Sequence, residues 1–302
     1  MAGCGSIGSR YVAWLRELGA EVAAFDPDPG RGAAFRALDD LLRWKPERVL
    51  VATPPNAHAD AACAALEAGA DVLVEKPIAA TLADAARIVE AAKRTGRRAW
   101  VVCNMRFHDG PRTLKANLAR IGKPLFARAH FGHRLAQMRP AGTRVFAASA
   151  AQGGGVVLDC IHEIDYLQWM LGEVAEVDAW LGRLGPDPIE AEDYAELRLG
   201  FRSGARAALH FDFLARRKRR GAELAGTEGT LLWHSEGRAP EVCSVTFGDA
   251  QASEILLHNP AVDAALEYRG MLSSFLADGG ALQSAAEGAR ALEVALRALG
   301  RQ

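Results

Sequence analysis

The chain has 302 residues, half of them apolar, with 36 basic against 37 acidic side chains; at ~100–200 residues per domain this points to two domains with room for a cleft. The even charge balance excludes a polyanion as general partner, so no nucleic acid is expected. No stretch approaches the ~18 uninterrupted apolar residues of a membrane span, so no membrane is expected either.

A basic segment followed by an apolar one is missing at the start, which places the expected location in the cytoplasm. The five cysteines, Cys4, Cys63, Cys103, Cys160 and Cys243, form no CxxC pair; they read as reduced, mostly buried thiols, and no metal is implied.

In chain order, Gly3-Cys4-Gly5-Ser6-Ile7-Gly8 is a G-x-G-x-x-G that runs into a helical stretch from Ser9 to Leu18. In a dinucleotide fold such glycines permit a tight turn, let the backbone approach a pyrophosphate and pack helix against strand, while Ser6 and Ile7 stand at the helix N-terminus that binds the anion. Only Met1 and Ala2 precede them, so the first strand reads as truncated, which would leave a gap of unpaired backbone groups in the sheet. Glu21–Phe25 reads as the second strand and ends at Asp26, at about the ~20-residue distance where a carboxylate accepts the ribose hydroxyls of NAD. Arg31 in the same loop is placed to hold the extra phosphate of NADP, so NAD is favoured and NADP stays open.

Residues 47–52 form the next strand, and prolines 54 and 55 end it. Proline denies further ladder bonding and exposes the loop, so Thr53, Pro54, Asn56 and His58 are candidates for the cofactor groove. His58 reads equally well as the first residue of the alanine-rich helix at 57–68. Val72-Leu73-Val74 then stops at Glu75-Lys76-Pro77, and a buried parallel strand ending so would put Glu75 and Lys76 at the mouth of a site. A solvated lysine in a surface turn explains these residues alone as well. Thr81 and Asp84 cap a further helix, and residues 100–103 are a strand leading to Asn104 and Arg106, so that Asn104 joins Glu75 and Lys76 as a candidate cofactor contact. The alternation makes residues 1–105 a Rossmann-like, doubly wound parallel sheet.

Residues 106–302 form a second α/β domain. After a helix at 111–121 come strands without intervening helices, at 124–131, 174–184, 194–201, 205–213, 223–224 and 230–234, so its sheet is mostly antiparallel. Gln152-Gly153-Gly154-Gly155 introduces a helical run at 156–171 in which Asp159, His162, Glu163, Asp165 and Tyr166 gather opposite an apolar stripe. An acid-rich face with a histidine is suggestive of a site, although His162 alone fits a hydrogen-bonded structural role. The run Arg216–Arg220 lacks interleaved aromatics and reads as a solvated hairpin, with an anionic-substrate contact as the other option. Ala285, Ala289, Leu292, Leu296 and Leu299 give a packed C-terminal helix.

The ordered set of GxGxxG, Ala-Thr-Pro-Pro-Asn-Ala-His at 52–58, Glu75-Lys76-Pro77, Asn104-Met105-Arg106-Phe107 and the glycines leading to Asp159 and His162 resembles the Gfo/Idh/MocA oxidoreductases over nearly the whole chain. The resemblance implies an open C-terminal sheet used for homo-oligomerisation as dimer or tetramer, and NAD(P)-linked hydride transfer on a sugar-like substrate: a sugar, a cyclitol, or an acidic or nucleotide sugar. It implies that Lys76 contacts the nicotinamide ribose and the substrate, that His162 exchanges the hydroxyl proton, and that Asp159 and Arg106 help bind substrate. The family pattern is Asp-x-x-x-His, whereas this chain has Asp-x-x-His, which rotates the acid. The alternative is a dinucleotide-binding sensor without catalysis on the same fold.

Overall fold

The computed structural model describes residues 1–135 and 154–301, so Gln152 and Gly153 lie outside the described residues. The architecture is α/β, and the chain divides into two compact units, Met1–Asn104 with Ala265–Leu292, and Met105–Ala264 with the residues from Glu293 on. The expected boundary at 105/106 thus falls at 104/105, and residues 265–292 return to the first unit.

In the first unit the strands β1 (Arg48–Val51), β2 (Asp71–Val74) and β3 (Ala99–Val101) pair in parallel, and Gln283–Ser284 adds an antiparallel edge beside β3. Val72, Leu73 and Val74 have no exposure, as expected for a strand covered on both faces. Helices α1 (Ser6–Glu17), α2 (Leu38–Arg43), α3 (His58–Glu67) and α4 (Leu82–Thr95) complete the alternation. The Thr81 side chain accepts from the Asp84 N–H at 3.1 Å and caps α4.

The expected gap is filled by Met1–Gly3. Ala2 N–H donates to the Leu50 carbonyl and Gly3 N–H to the Phe25 carbonyl, both at 2.8 Å; in return Phe25 N–H donates to Met1 and Ala52 N–H to Ala2. Of the strand expected at 21–25 only a bridge at Phe25 forms, between Ala2 on one side and Phe35 on the other.

The second unit is an eight-stranded sheet in the order β11-β10-β9-β8-β4-β7-β6-β5. Its strands are β4 (Pro124–Gly132), β5 (Val174–Gly182), β6 (Tyr194–Phe201), β7 (Arg206–Asp212), β8 (Arg219–Gly226), β9 (Thr230–Gly237), β10 (Glu241–Gly248) and β11 (Ser253–Val262). Every neighbouring pair is antiparallel except β4 with β7. Ala127, Ala129 and Phe131 of β4 are buried while Phe126 before them and Arg128 between them are exposed, the alternation of a sheet covered on one face. Helix α5 (Asp109–Asn117) packs on β9 to β11. The helical run at 156–171 is broken at Cys160 into α6 (Val156–Asp159) and α7 (Ile161–Leu171), and α7 packs on β4. Among the described residues no helix is long and apolar enough to cross a membrane.

Candidate functional site

In the first unit the residues expected at a nucleotide lie at the carboxyl ends of parallel segments, the usual place for a ligand in an open α/β sheet. Gly3 has φ +93°, and a Cβ there would come within 2.6 Å of the Ala52 carbonyl oxygen. A Cβ on Gly8 would stand 2.1 Å from the Gly3 carbonyl oxygen, so glycine lets α1 pack directly on the loop. Gly5 differs: a Cβ there would meet nothing within 4 Å. That open ground lies at the N-cap of α1, where no side chain caps the helix. Since Ser9 N–H makes the first bond back to Gly5 at 3.0 Å, helix geometry leaves the amides of Ser6, Ile7 and Gly8 for an anion. These features fit a dinucleotide pyrophosphate.

Asp26 is buried, and its Oδ2 accepts from Cys4 N–H at 2.7 Å and its Oδ1 from Asp28 N–H at 2.9 Å. The acid thus fastens the glycine loop, and a carboxylate with about four acceptor sites keeps capacity for ribose hydroxyls. Arg31 meets Asp28 at 3.3 Å. Pro54 and Asn56 are exposed beyond β1, and Thr53 is half-buried with a hydroxyl that has no partner among the described residues. His58 is a correction to the cofactor groove reading. It is 1% exposed, with Nε2 on the Thr53 carbonyl at 2.8 Å and Nδ1 on the Pro77 carbonyl at 3.0 Å. Burial pushes its pKa down against those backbone bonds. The ring lies between the loop after β1 and the turn after β2, and as a neutral imidazole it donates to one of these two carbonyls.

That turn is Glu75-Lys76-Pro77, with both Glu75 and Lys76 half-buried. Glu75 Oε1 accepts from the Tyr11 hydroxyl at 2.5 Å and Oε2 from the Lys76 N–H at 2.9 Å. Asn104, beyond β3, is buried; its Nδ2 donates to Glu267 at 3.1 Å, and its Oδ1 is an acceptor left over among the described residues. Glu267 belongs to α8 (Ala264–Leu276), an element that the sequence pattern did not announce.

In the second unit the acid-rich face divides. Glu163, Asp165 and Tyr166 are buried, whereas Asp159 and His162 stay half-buried. Arg106, expected to bind substrate, holds Asp165 through two of its nitrogens, with Nη2 to Oδ1 at 2.6 Å and Nε to Oδ2 at 3.1 Å. Both side chains are 5% exposed, so this guanidinium is spent on a core pair. Arg220 holds Glu163 at 2.5 Å and lies 4.3 Å over the Phe131 ring. Lys218 pairs with Glu241 and Arg217 with Glu236 at 3.0 Å. The basic run is thus half structural; Arg216, Arg217 and Arg219 are its exposed members. Asp159 ends α6 and His162 lies in the first turn of α7, so the two do not share one continuous helix. Glu192 was not anticipated: it receives Val157 N–H at 3.2 Å at the head of α6, and burial pushes its carboxyl up.

Residues 1–103 match the family model described as an oxidoreductase family with an NAD-binding Rossmann fold, and residues 112–232 match the GFO/IDH/MocA C-terminal domain. The chain is 30% identical over 259 residues to 1,5-anhydro-D-fructose reductase of Ensifer adhaerens, spanning 84% of this chain and 77% of that protein. It is 34% identical over 192 residues to inositol 2-dehydrogenase of Salmonella paratyphi B, which covers 57% of this chain and 54% of that relative, about half its length. In fold it resembles an oxidoreductase from Agrobacterium radiobacter crystallised with NAD+, L-tartaric acid and magnesium, with a TM-score of 0.86 at 20% identity over 99% of this chain and 94% of the other.

Proposed function

This chain belongs to the Gfo/Idh/MocA oxidoreductases, and on that premise we propose that it moves a hydride between NAD and a hydroxyl or carbonyl carbon of a sugar-like molecule, a sugar or a cyclitol. The observation that carries the reading lies in the first unit. There Lys76 follows β2 at the carboxyl end of the same parallel sheet that seats an uncapped helix N-terminus and the open face of Gly5. The relatives named for anhydrofructose and inositol support the substrate class. Asp26 repels a ribose phosphate and Arg31 is engaged by Asp28, which supports NAD over NADP.

Bound NAD supplies the hydride acceptor. Residues 3–8 seat the pyrophosphate, and Asp26 accepts from the ribose. Lys76 presents a positive charge to an oxygen that gains negative charge as the hydride leaves, an effect strongest where water is excluded. His162 takes the hydroxyl proton, a task suited to an imidazole, which can both accept and release a proton. Asp159 contacts substrate or orients His162, and Arg106 acts at one remove, by anchoring α7 through Asp165.

NADH formation over a panel of polyols and sugar derivatives tests this. Turnover is expected, and Lys76→Ala and His162→Ala each lower kcat by roughly 10²–10⁴-fold with unchanged circular dichroism. Firm NAD binding without turnover on any compound points instead to a sensor, and a near wild-type rate in either variant removes that residue from the mechanism. The outer sheet face, with Trp180 58% and Leu232 49% exposed, supports a homo-oligomer; a light-scattering mass of one chain overturns this.

A further inference from the structure

Glu75 precedes Lys76, and both oxygens of its carboxylate are occupied within the first unit. Tyr11 donates to one at 2.5 Å and the Lys76 backbone N–H to the other at 2.9 Å. Glu75's own N–H is bonded to the Val51 carbonyl at 2.8 Å, so the residue is fixed at its backbone and at both ends of its carboxylate. Tyr11 has no exposure, and its ring lies 6.0 Å from those of Trp14 and of Tyr268. Burial and the neighbouring Glu75 charge push its phenol well above the ordinary value, which keeps it a donor.

A buried tyrosine hydroxyl needs some partner, and that need alone would make the bond structural. The second oxygen carries the argument further. The carboxylate that receives Tyr11 also closes on the amide of the lysine, so α1 and the turn carrying Lys76 are joined through one side chain. On the other side of the same turn His58 holds the Pro77 carbonyl at 3.0 Å.

We propose that Tyr11 and Glu75 are positioning residues for Lys76: they hold its backbone at the strand end so that its ammonium group is fixed for the reacting oxygen. This rests on the role given to Lys76 above. Tyr11→Phe keeps the ring and its packing but removes the donor. Glu75→Gln keeps an acceptor for Tyr11 but turns an amide group toward the Lys76 N–H.

The test takes both variants and their combination in the full chain, with three readouts: hydrogen exchange of the peptide containing Lys76, NADH affinity by fluorescence, and kcat on the best compound of the panel. Exchange at Lys76 is expected to quicken in both single variants while NADH affinity stays within about threefold. A displaced catalytic group costs up to about a hundredfold, so kcat is expected to fall roughly ten- to a hundredfold with KM little changed. The double variant should be no worse than the worse single one, as for residues acting in one chain. Unchanged exchange in both variants overturns the proposal whatever the activity, and so does quickened exchange with an unaltered kcat. Loss of NADH affinity in Glu75→Gln but not in Tyr11→Phe overturns it in favour of a cofactor contact. If the wild-type chain turns over no compound, the proposed function fails and the exchange readout still decides on positioning.

Discussion

Two pairs of acids, one pair in each unit, are held in opposite ways. In the first unit Asp26 and Glu75 receive hydrogen bonds from neutral donors, backbone N–H groups and a tyrosine hydroxyl. In the second, Glu163 and Asp165 each face an arginine in the core. A carboxylate held by neutral donors is oriented but keeps its charge, so it can act on a neighbour or a ligand. One closed on a guanidinium has its charge cancelled and serves the packing around it. An acid-rich helix face is therefore poor evidence for a site until its partners are known.

The sharpest way to break this contrast is to remove a cation from the core. Arg220→Met should lower unfolding stability by about 3–5 kcal/mol, because Glu163, at 0% exposure, loses the guanidinium that faces its buried charge. Adding Glu163→Leu should recover most of the loss, since an apolar pair of similar volume replaces an ion pair at little cost. Urea unfolding of the two variants measures both effects, and an equal loss in the single and double variants would show that packing of Arg220 against Phe131, rather than charge, decides. Glu75→Gln should cost only about 1 kcal/mol in the same assay, the ordinary worth of a hydrogen bond, although it lowers kcat strongly. A stability loss as large as that of Arg220→Met would erase the distinction between the two kinds of acid.

What the sequence disclosed followed the range of the interactions. The glycine loop, the Thr81–Asp84 cap and the strand at 71–74 depend on neighbours a few residues away, and the structure has them where the pattern puts them. The pairs Glu163–Arg220 and Asp165–Arg106 span 57 and 59 residues, and no local pattern distinguishes an acid that faces water from one that meets a distant arginine. Tyr11 was hidden differently. It lies on the buried stripe of α1 with Trp14 and Leu15, where an aromatic reads as core, and only its hydroxyl hinted at a polar partner. The edge strand β11 went unread because it is mostly exposed and contains Pro260, which leaves no buried face to give a period of two. The return of residues 265–292 to the first unit depends on contacts such as Glu267 with Asn104, 163 residues apart.

The smallest expected effect lies between these two kinds of acid. His210 on β7 is held by two carboxylates at once, with Nδ1 on Glu196 at 2.7 Å and Nε2 on Asp212 at 3.0 Å. Both ring nitrogens can donate only in the charged imidazolium, and the Asp212 bond followed by the Glu196 bond raises the pKa above its ordinary 6.5 against desolvation. Tyr194, which donates to the same Glu196 oxygen, and His130, whose pKa is lowered by burial and by Arg219, His234 and His210, are the titratable neighbours. A folded pKa above the unfolded one means that the stabilisation is fully present below about pH 6.5 and fades as pH rises through the folded value. His210→Gln should therefore narrow its deficit against wild type as pH rises from mildly acid to mildly alkaline. Because His130 and Glu192 titrate in both proteins, the difference between the two urea midpoints across that range is the quantity to follow. A difference independent of pH would mean that His210 is held neutral, and that here an acid pair orients a ring without charging it.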